Sequence, residues 1–353
     1  MSTSIPPGSD YTAALEGAAV GLCRERGFLT VTGKAPGEML NGLITNSPPA
    51  PLRDRAEGTK AGMAVYSALL TAKGKMITDL RLHSHSEGGF LVDLPSEGLD
   101  GALAHLGKFL PPRLARAEDW SGELALVTLL GPQVPDLLPE VLDSFGWPSS
   151  VVGMGELNEG EELVLVGAEV GVARLVGSGD THAKGWDLLV PSAVADPLRG
   201  RLEALGAVPL TEPVLETLRV EKGRPRFGKD MDQDTILVEA GIHLRAIDDG
   251  KGCYTGQEVI IRIRDRGQVN KRMMGFLLGK APPPDPGAPV FRAGREKDVG
   301  WITSALPSPA FGQTIALGYL RRGIEPGDAV AVGSPNGPEA QVRALSDQGW
   351  VQD

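Results

Sequence analysis

The sequence predicts an α+β protein made of two helix-on-sheet units followed by a small C-terminal β-barrel. Three observations lead there. Between residues 28 and 110 the hydrophobic periodicity runs β, α, β, β, β, α, an order that suits an antiparallel or mixed sheet with helices on one face rather than a doubly wound parallel sheet. From Glu123 onward the same rhythm returns without a strict repeat. Past Lys271 the helical periodicity stops, and short strands alternate with proline and glycine, as in a small barrel. The predicted divisions are 1–120, 121–270 and 271–353, with the strands of the first two free to interleave.

The elements follow in order. Residues 1–12 are read as a loose start, and Ala13 to Gly27, rich in Ala, Leu and Glu, as a short helix and turn. Phe28 to Gly33 is a strand. Ala35 to Leu43 is a helix with Pro36 in its first turn, where a missing N–H costs little. Met63 to Leu70, the turn Thr71-Ala72-Lys73-Gly74 and Met76 to His83 form a hairpin, and Phe90 to Leu94 a third strand. Leu99 to Leu110 is a helix stopped by Pro111-Pro112. The second unit has a strand in Glu123 to Pro132, a helix from Pro135 to Phe145, strands near 163–166, 173–175 and 185–190, and helices from Pro197 to Leu205 and Val214 to Lys222. Barrel strands are expected at 274–278, 289–291, 299–304, 315–320, 329–332 and 340–344.

Composition narrows the function. The chain has 353 residues, 41% of them hydrophobic and 23% charged, which is ordinary globular usage. A net charge of −10 argues against a nucleic-acid scaffold, which is usually basic. Two cysteines do not make a disulfide framework, so a reducing, cytoplasmic setting is expected. No run of 18 apolar residues exists, so no membrane span is expected. Among the five histidines, His83 and His85 share one strand face without a third ligand, and structural roles are expected for them.

The stretch Lys251-Gly252-Cys253-Tyr254-Thr255-Gly256-Gln257-Glu258 carries the densest chemistry. Thr255 and Glu258 fit a capping box. With that reading Cys253 precedes a helix N-terminus beside Lys251, a setting that favours thiolate and bound anions. A Gly-rich turn with a buried cysteine fits the same residues, and the β-branched run 259–263 also reads as a strand.

This octapeptide, continued to Arg262 and to Arg266-Gly267, resembles the signature of the YgfZ family, folate-binding proteins related to the T-protein (aminomethyltransferase) of the glycine cleavage system. Four further stretches are similar to this family and its relatives: Val31-Thr32-Gly33 with Leu40 to Asn46, Thr71 to Leu80, Leu218 to Gly223 with Phe227 to Met231 and Glu239-Ala240-Gly241, and Gly300 to Ala305 with Ser308-Pro309 and Ile315 to Tyr319. Together they span residues 28 to 345. The resemblance implies a three-domain ring of ferredoxin-like helix-on-sheet units and a barrel around a hole that accepts tetrahydrofolate. It implies a folate-binding accessory protein that supports assembly or repair of iron–sulfur enzymes, which are the partners to expect. In aminomethyltransferases the hairpin carries two adjacent aspartates, the first of them held to be catalytic. Thr78 stands in that place here and only Asp79 remains, which argues against aminomethyl transfer, since threonine does not titrate usefully.

The candidate residues follow. Cys253 is the candidate reactive thiol, as nucleophile, redox group or ligand to a passing cluster. A cluster needs about four ligands, so a partner would have to supply the others. Asp187, in Gly185-Trp186-Asp187, stands where the relatives place a pterin-binding glutamate. Lys251, Arg262 and Arg266 are candidates for the folate tail carboxylates. Gly252, Tyr254, Gln257 and Glu258 complete the expected binding loop. The competing enzyme reading is folate-dependent aminomethyl transfer or demethylation, and a third reading is a pure docking module.

Overall fold

The computed structural model describes residues 8–55, 58–85, 88–149, 153–266, 269–346 and 349–351. The first part comprises α1 (Ser9–Glu16), β1 (Ala19–Cys23), β2 (Arg26–Gly33), α2 (Pro36–Asn41), β3 (Arg53–Asp54), β4 (Thr59–Leu70), β5 (Met76–Ser84), β6 (Phe90–Pro95), α3 (Leu99–Phe109) and β7 (Ala115–Asp119). The second comprises β8 (Leu124–Leu130), α4 (Val134–Ser144), β9 (Glu161–Gly167), β10 (Gly171–Ser178), β11 (Gly185–Pro191), α5 (Ser192–Ala204), β12 (Val208–Pro209), α6 (Glu212–Lys222), α7 (His243–Ala246) and α8 (Gln257–Arg266). The last holds β13 (Lys271–Leu277), β14 (Pro289–Arg292), β15 (Asp298–Ser308), β16 (Gln313–Arg321), β17 (Ala329–Val332) and β18 (Glu339–Arg343).

Among the described residues, β1 to β12 form one 12-stranded sheet in the order β12-β1-β8-β11-β10-β9-β4-β5-β6-β2-β7, with β3 beside β4. The long strand β4 joins its halves. Residues 59–63 pair with β9, and residues 64–70 pair with β5. The two predicted units therefore interleave, since β1 and the start of β4 lie in the half built mainly by residues beyond 120. The halves fold back on each other across a layer of Phe28, Ala64 and Leu91 against Leu126, Val176 and Leu189. α2 and α3 cover the outer face of one half, where Leu40, Ala102 and Leu106 meet Leu29, Val31 and Leu82. α4 and α5 cover the other, where Leu138, Leu142 and Leu198 meet Val127, Leu165 and Leu188. β8 thus buries residues of both its faces, which explains the near-continuous apolar run 124–130.

The strands β13 to β18 close into a barrel, β13-β16-β15-β14-β17-β18, filled by Phe276, Val290, Ile302 and Val342. It docks on α6 through buried polar bonds. Arg219 Nη1 donates to Asp230 Oδ2 at 2.6 Å and Nη2 to Ser304 Oγ at 3.0 Å, and Glu221 accepts from the Ala310 amide at 3.0 Å.

Four expectations need correction. The helix predicted over 13–27 ends at Glu16, and 19–23 is a strand, because the pairing of β1 with β8 and β12 outweighs local helix propensity. β7, an edge strand with polar residues, was not expected. α5 starts at Ser192, five residues before Pro197, which sits inside the helix. Thr255 does not cap α8: its hydroxyl donates to the Gly42 carbonyl at 3.4 Å, and Glu258 pairs with Arg262 at 2.9 Å.

Candidate functional site

Where the halves of the sheet part beside α6, hydrocarbon gives way to charge. An open cavity there has an empty volume of about 1310 Å³ including its mouth. β4 and β5 supply Tyr66, Asp79 and Arg81, the start of β2 supplies Arg26, β11 supplies Asp187, and Arg245 closes the wall at the end of α7. Among the described residues, none of the barrel lines it.

Strand alternation sets what faces the cavity. Asp79 and Arg81 lie two apart on one face of β5. Thr78 points the other way. It is 0% exposed, donates its hydroxyl to the Asp79 carbonyl at 2.8 Å, and packs so closely on Gly98 that a Cβ there would lie 2.5 Å from its own. The carboxylate that this hairpin presents to the cavity is therefore at position 79. Thr78, which stands in place of the first of the two aspartates, does not line the cavity, and Asp79 does.

Asp79 carries an unsatisfied carboxylate oxygen in the wall. It is 8% exposed. Oδ2 accepts the Tyr66 hydroxyl at 2.8 Å, while Oδ1 is buried with no hydrogen-bond partner among the described residues. Burial raises its pKa above the usual carboxylate value, against the pull of Arg26, the Tyr66 hydroxyl and Arg245. The Arg245 guanidinium lies 4.0 Å from the centre of the Tyr66 ring and donates to Glu159 at 2.8 Å, which fixes the tyrosine from above. Arg81 bridges two carboxylates, with Nη1 to Asp187 Oδ2 at 2.6 Å and Nε to Asp93 Oδ2 at 2.9 Å. Cys23 also lines the cavity, half-buried, with its thiol pKa pushed up mainly by burial.

Of the residues singled out from sequence, the structure puts Asp187 in this wall. The Lys251–Glu258 loop forms a second, separate surface at the turn of the β4–β5 hairpin. None of Lys251, Gly252, Cys253, Tyr254, Gln257, Glu258 and Arg262 lines the cavity. Lys251 is half-buried. Its Nζ donates to the carbonyls of Ile44 and Asn46, each at 2.8 Å, and burial pulls its pKa down to about 8. Tyr254 is packed in a core with Leu70, Met76 and Phe227. Gly256, at φ +83°, approaches the hairpin turn so closely that a Cβ would stand 2.7 Å from the Thr71 carbonyl. Cys253 and Gly252 are exposed, as are Glu258 and Arg262 on α8. The side chain of Arg266 and residue Gly267 lie outside the described residues. Sequence reasoning missed Tyr66, Arg81, Arg245 and Cys23. A pair of charged residues at 79 and 81, interleaved with Leu80 and Leu82 on one strand, was the available signal.

A model of the GCVT N-terminal domain matches residues 16–247, and a model of the glycine cleavage T-protein C-terminal barrel domain matches residues 271–346. The chain belongs to the glycine cleavage T-protein family. Among its relatives are an aminomethyltransferase of Moorella thermoacetica, 27% identical over 302 residues (84% of this chain and 76% of the relative), and one of Rubrobacter xylanophilus, 30% identical over 271 residues (77% and 69%). The glycine cleavage system aminomethyltransferase T of Bartonella henselae superposes with a TM-score of 0.77 at 19% identity, covering 97% of this chain and 90% of that one, which establishes the shared fold. The aminomethyltransferase-like α+β fold with a C-terminal β-barrel, expected from sequence, is thus present. No helix among the described residues is long and apolar enough to cross a membrane.

Proposed function

We propose that this T-protein-family chain binds tetrahydrofolate in the central cavity and transfers a one-carbon unit there, as a folate-dependent aminomethyltransferase or demethylase-like enzyme. The unpartnered Oδ1 of Asp79 carries the reading. A buried carboxylate with one satisfied and one free oxygen is a binding group waiting for a donor. The cavity suits the ligand. It mixes apolar wall with a few placed polar groups, and two acidic residues face the donor edge a pterin would bring. When bound, tetrahydrofolate supplies the nitrogen that accepts the one-carbon unit. The chain's part is to hold and move a proton beside that nitrogen. Asp79, with its pKa raised, suits that role, Tyr66 fixes its orientation, and Arg81 holds Asp187 in the cavity wall. The relatives named aminomethyltransferase support the same reading.

A second reading, the YgfZ-type accessory protein that supports assembly or repair of iron–sulfur enzymes, is favoured by the exposed Cys253. Its loop is stapled by Lys251 to the Ile44 and Asn46 carbonyls, so the thiol is offered to a partner from an anchored support rather than to the cavity. Both readings share the folate, and turnover separates them. The enzyme reading expects a methylamine or aminomethyl donor to be consumed with tetrahydrofolate, and Asp79→Asn to abolish this while Cys253→Ser does not. Folate binding without turnover, with loss of iron–sulfur enzyme activity in a cell carrying Cys253→Ser, would favour the accessory role. No saturable change in tryptophan fluorescence on adding tetrahydrofolate would overturn both.

A further inference from the structure

Behind the cavity wall runs a line of buried charge that the proposed chemistry does not use directly. Asp187 accepts from Arg81, Arg81 donates to Asp93, and Asp93 Oδ2 lies 3.0 Å from His83 Nε2. His83 Nδ1 lies 2.8 Å from Glu162 Oε2, and Arg174 completes the line at 3.3 Å from Glu162 Oε1 and 2.8 Å from the Ser84 carbonyl. The six side chains come from β11, β5, β6, β9 and β10, and Arg26 of β2 meets the other oxygen of Asp93. His83 and Asp93 are 0% exposed and Glu162 1%.

The donors do not add up with a neutral ring. A neutral imidazole has one N–H and one acceptor nitrogen, and an ionised carboxylate only accepts. Here both ring nitrogens face carboxylate oxygens at hydrogen-bond distance. A ring with a single N–H leaves a lone pair against a carboxylate, out of reach of water, and such a contact is costly. We infer that Asp93, His83 and Glu162 together hold one extra proton, and that His83 is a positioning residue which, through Asp93, sets the direction of Arg81 and hence of Asp187 in the cavity. The ligand part of this rests on the folate reading, while the proton count does not. The charged groups facing the ring from each packed element are Asp93 on β6, Glu162 on β9, Arg174 on β10 and Arg81 on its own strand; β4, its other neighbour, presents Ala64. Burial lowers the His83 pKa against the pull of Glu162. The proton is therefore lost to solvent as pH rises, one of the two carboxylates is then repelled, and Arg81 loosens.

Glu162→Gln tests this. Its amide N–H donates to Nδ1 of a neutral ring, while Nε2–H donates to Asp93, so the line is satisfied at any pH without the extra proton. The parent is expected to lose roughly tenfold in tetrahydrofolate affinity as pH rises through the lowered His83 transition, and the variant to lose none. The ligand's own titration is common to both and cancels in the ratio of affinities. In the ligand-free parent, labelled with ¹⁵N-histidine, both His83 ring nitrogens should be protonated-type at the acid end, with one becoming acceptor-type above the transition. Equal pH dependence in parent and variant, or an acceptor-type nitrogen in the parent throughout, would overturn the inference. If the parent binds no tetrahydrofolate, the folate reading fails and the ring spectrum alone decides this one.

Discussion

Asp79→Asn is the sharpest perturbation of the cavity, because it changes charge and little else. Asparagine keeps an oxygen for the Tyr66 hydroxyl, now accepted by Asp79 Oδ2 at 2.8 Å, and keeps the volume of the side chain. What it removes is the anionic acceptor at Oδ1, which no protein group occupies among the described residues. A hydrogen bond to a charged group contributes about 1.5–3 kcal/mol, so tetrahydrofolate should bind about 10- to 150-fold more weakly. Quenching of tryptophan fluorescence during titration measures this. The neighbouring position is the control. Thr78 faces Gly98 and not the cavity, so Thr78→Val should leave affinity within about twofold, since it loses only a local bond to the Asp79 carbonyl. The same variant pair bears on stability. Burial raises the Asp79 pKa, so the folded state holds a proton that the unfolded chain releases earlier, and that stabilisation is lost as pH rises through the raised value. Asp79→Asn should therefore be more stable than the parent at neutral pH and flatten this part of the pH profile. Equal affinity in Asp79→Asn and parent, or a larger loss in Thr78→Val, would refute the assignment of the cavity-facing carboxylate.

Three further outcomes follow from the structure. Gly256→Ala forces a side chain into φ +83° and against the Thr71 carbonyl, which should cost at least about 1–2 kcal/mol, seen as a lowered thermal midpoint with tetrahydrofolate affinity unchanged. Lys251 titrates near 8 in the folded state and at 10.5 in the unfolded chain, so between those values the unfolded state binds more protons and stability rises with pH. Halved for its partial exposure, the gap amounts to about 1–2 kcal/mol, which urea unfolding at pH 8 and pH 10 should show in the parent and not in Lys251→Met. Arg219→Met removes the guanidinium partner of the fully buried Asp230 between α6 and the barrel and should destabilise by about 3–5 kcal/mol, measured by urea unfolding followed at Trp301 and Trp350.

Much of the fold was legible because its signals are local. The barrel showed itself in short strands separated by proline and glycine, and the β4–β5 hairpin in two apolar runs around Thr71–Gly74. The run 259–263, open between strand and helix, lies in α8, and Ile261 and Arg262 are both exposed beyond the buried Ile260, which strict alternation would not give. What stayed hidden depends on distant partners. Residues 19–23 are a strand only because β8 lies beside them, more than 100 positions away. The facing of Asp79 rather than Thr78 is decided by which face of β5 the second half of the sheet leaves open. The line from Asp187 to Arg174 joins five strands, and no spacing in the sequence announces it. The Lys251–Glu258 stretch stood out by its composition, yet composition does not say that its lysine is spent on two main-chain carbonyls or that Cys253 faces solvent beyond the cavity.

The central claim, that the cavity beside Asp79 is where the folate binds, is tested most directly by a crystal structure of the chain grown with tetrahydrofolate. The account predicts the pterin in the cavity with a ring nitrogen within hydrogen-bond distance of Asp79 Oδ1. A pterin seated at the Lys251–Cys253 loop, with the cavity filled only by water, would contradict it.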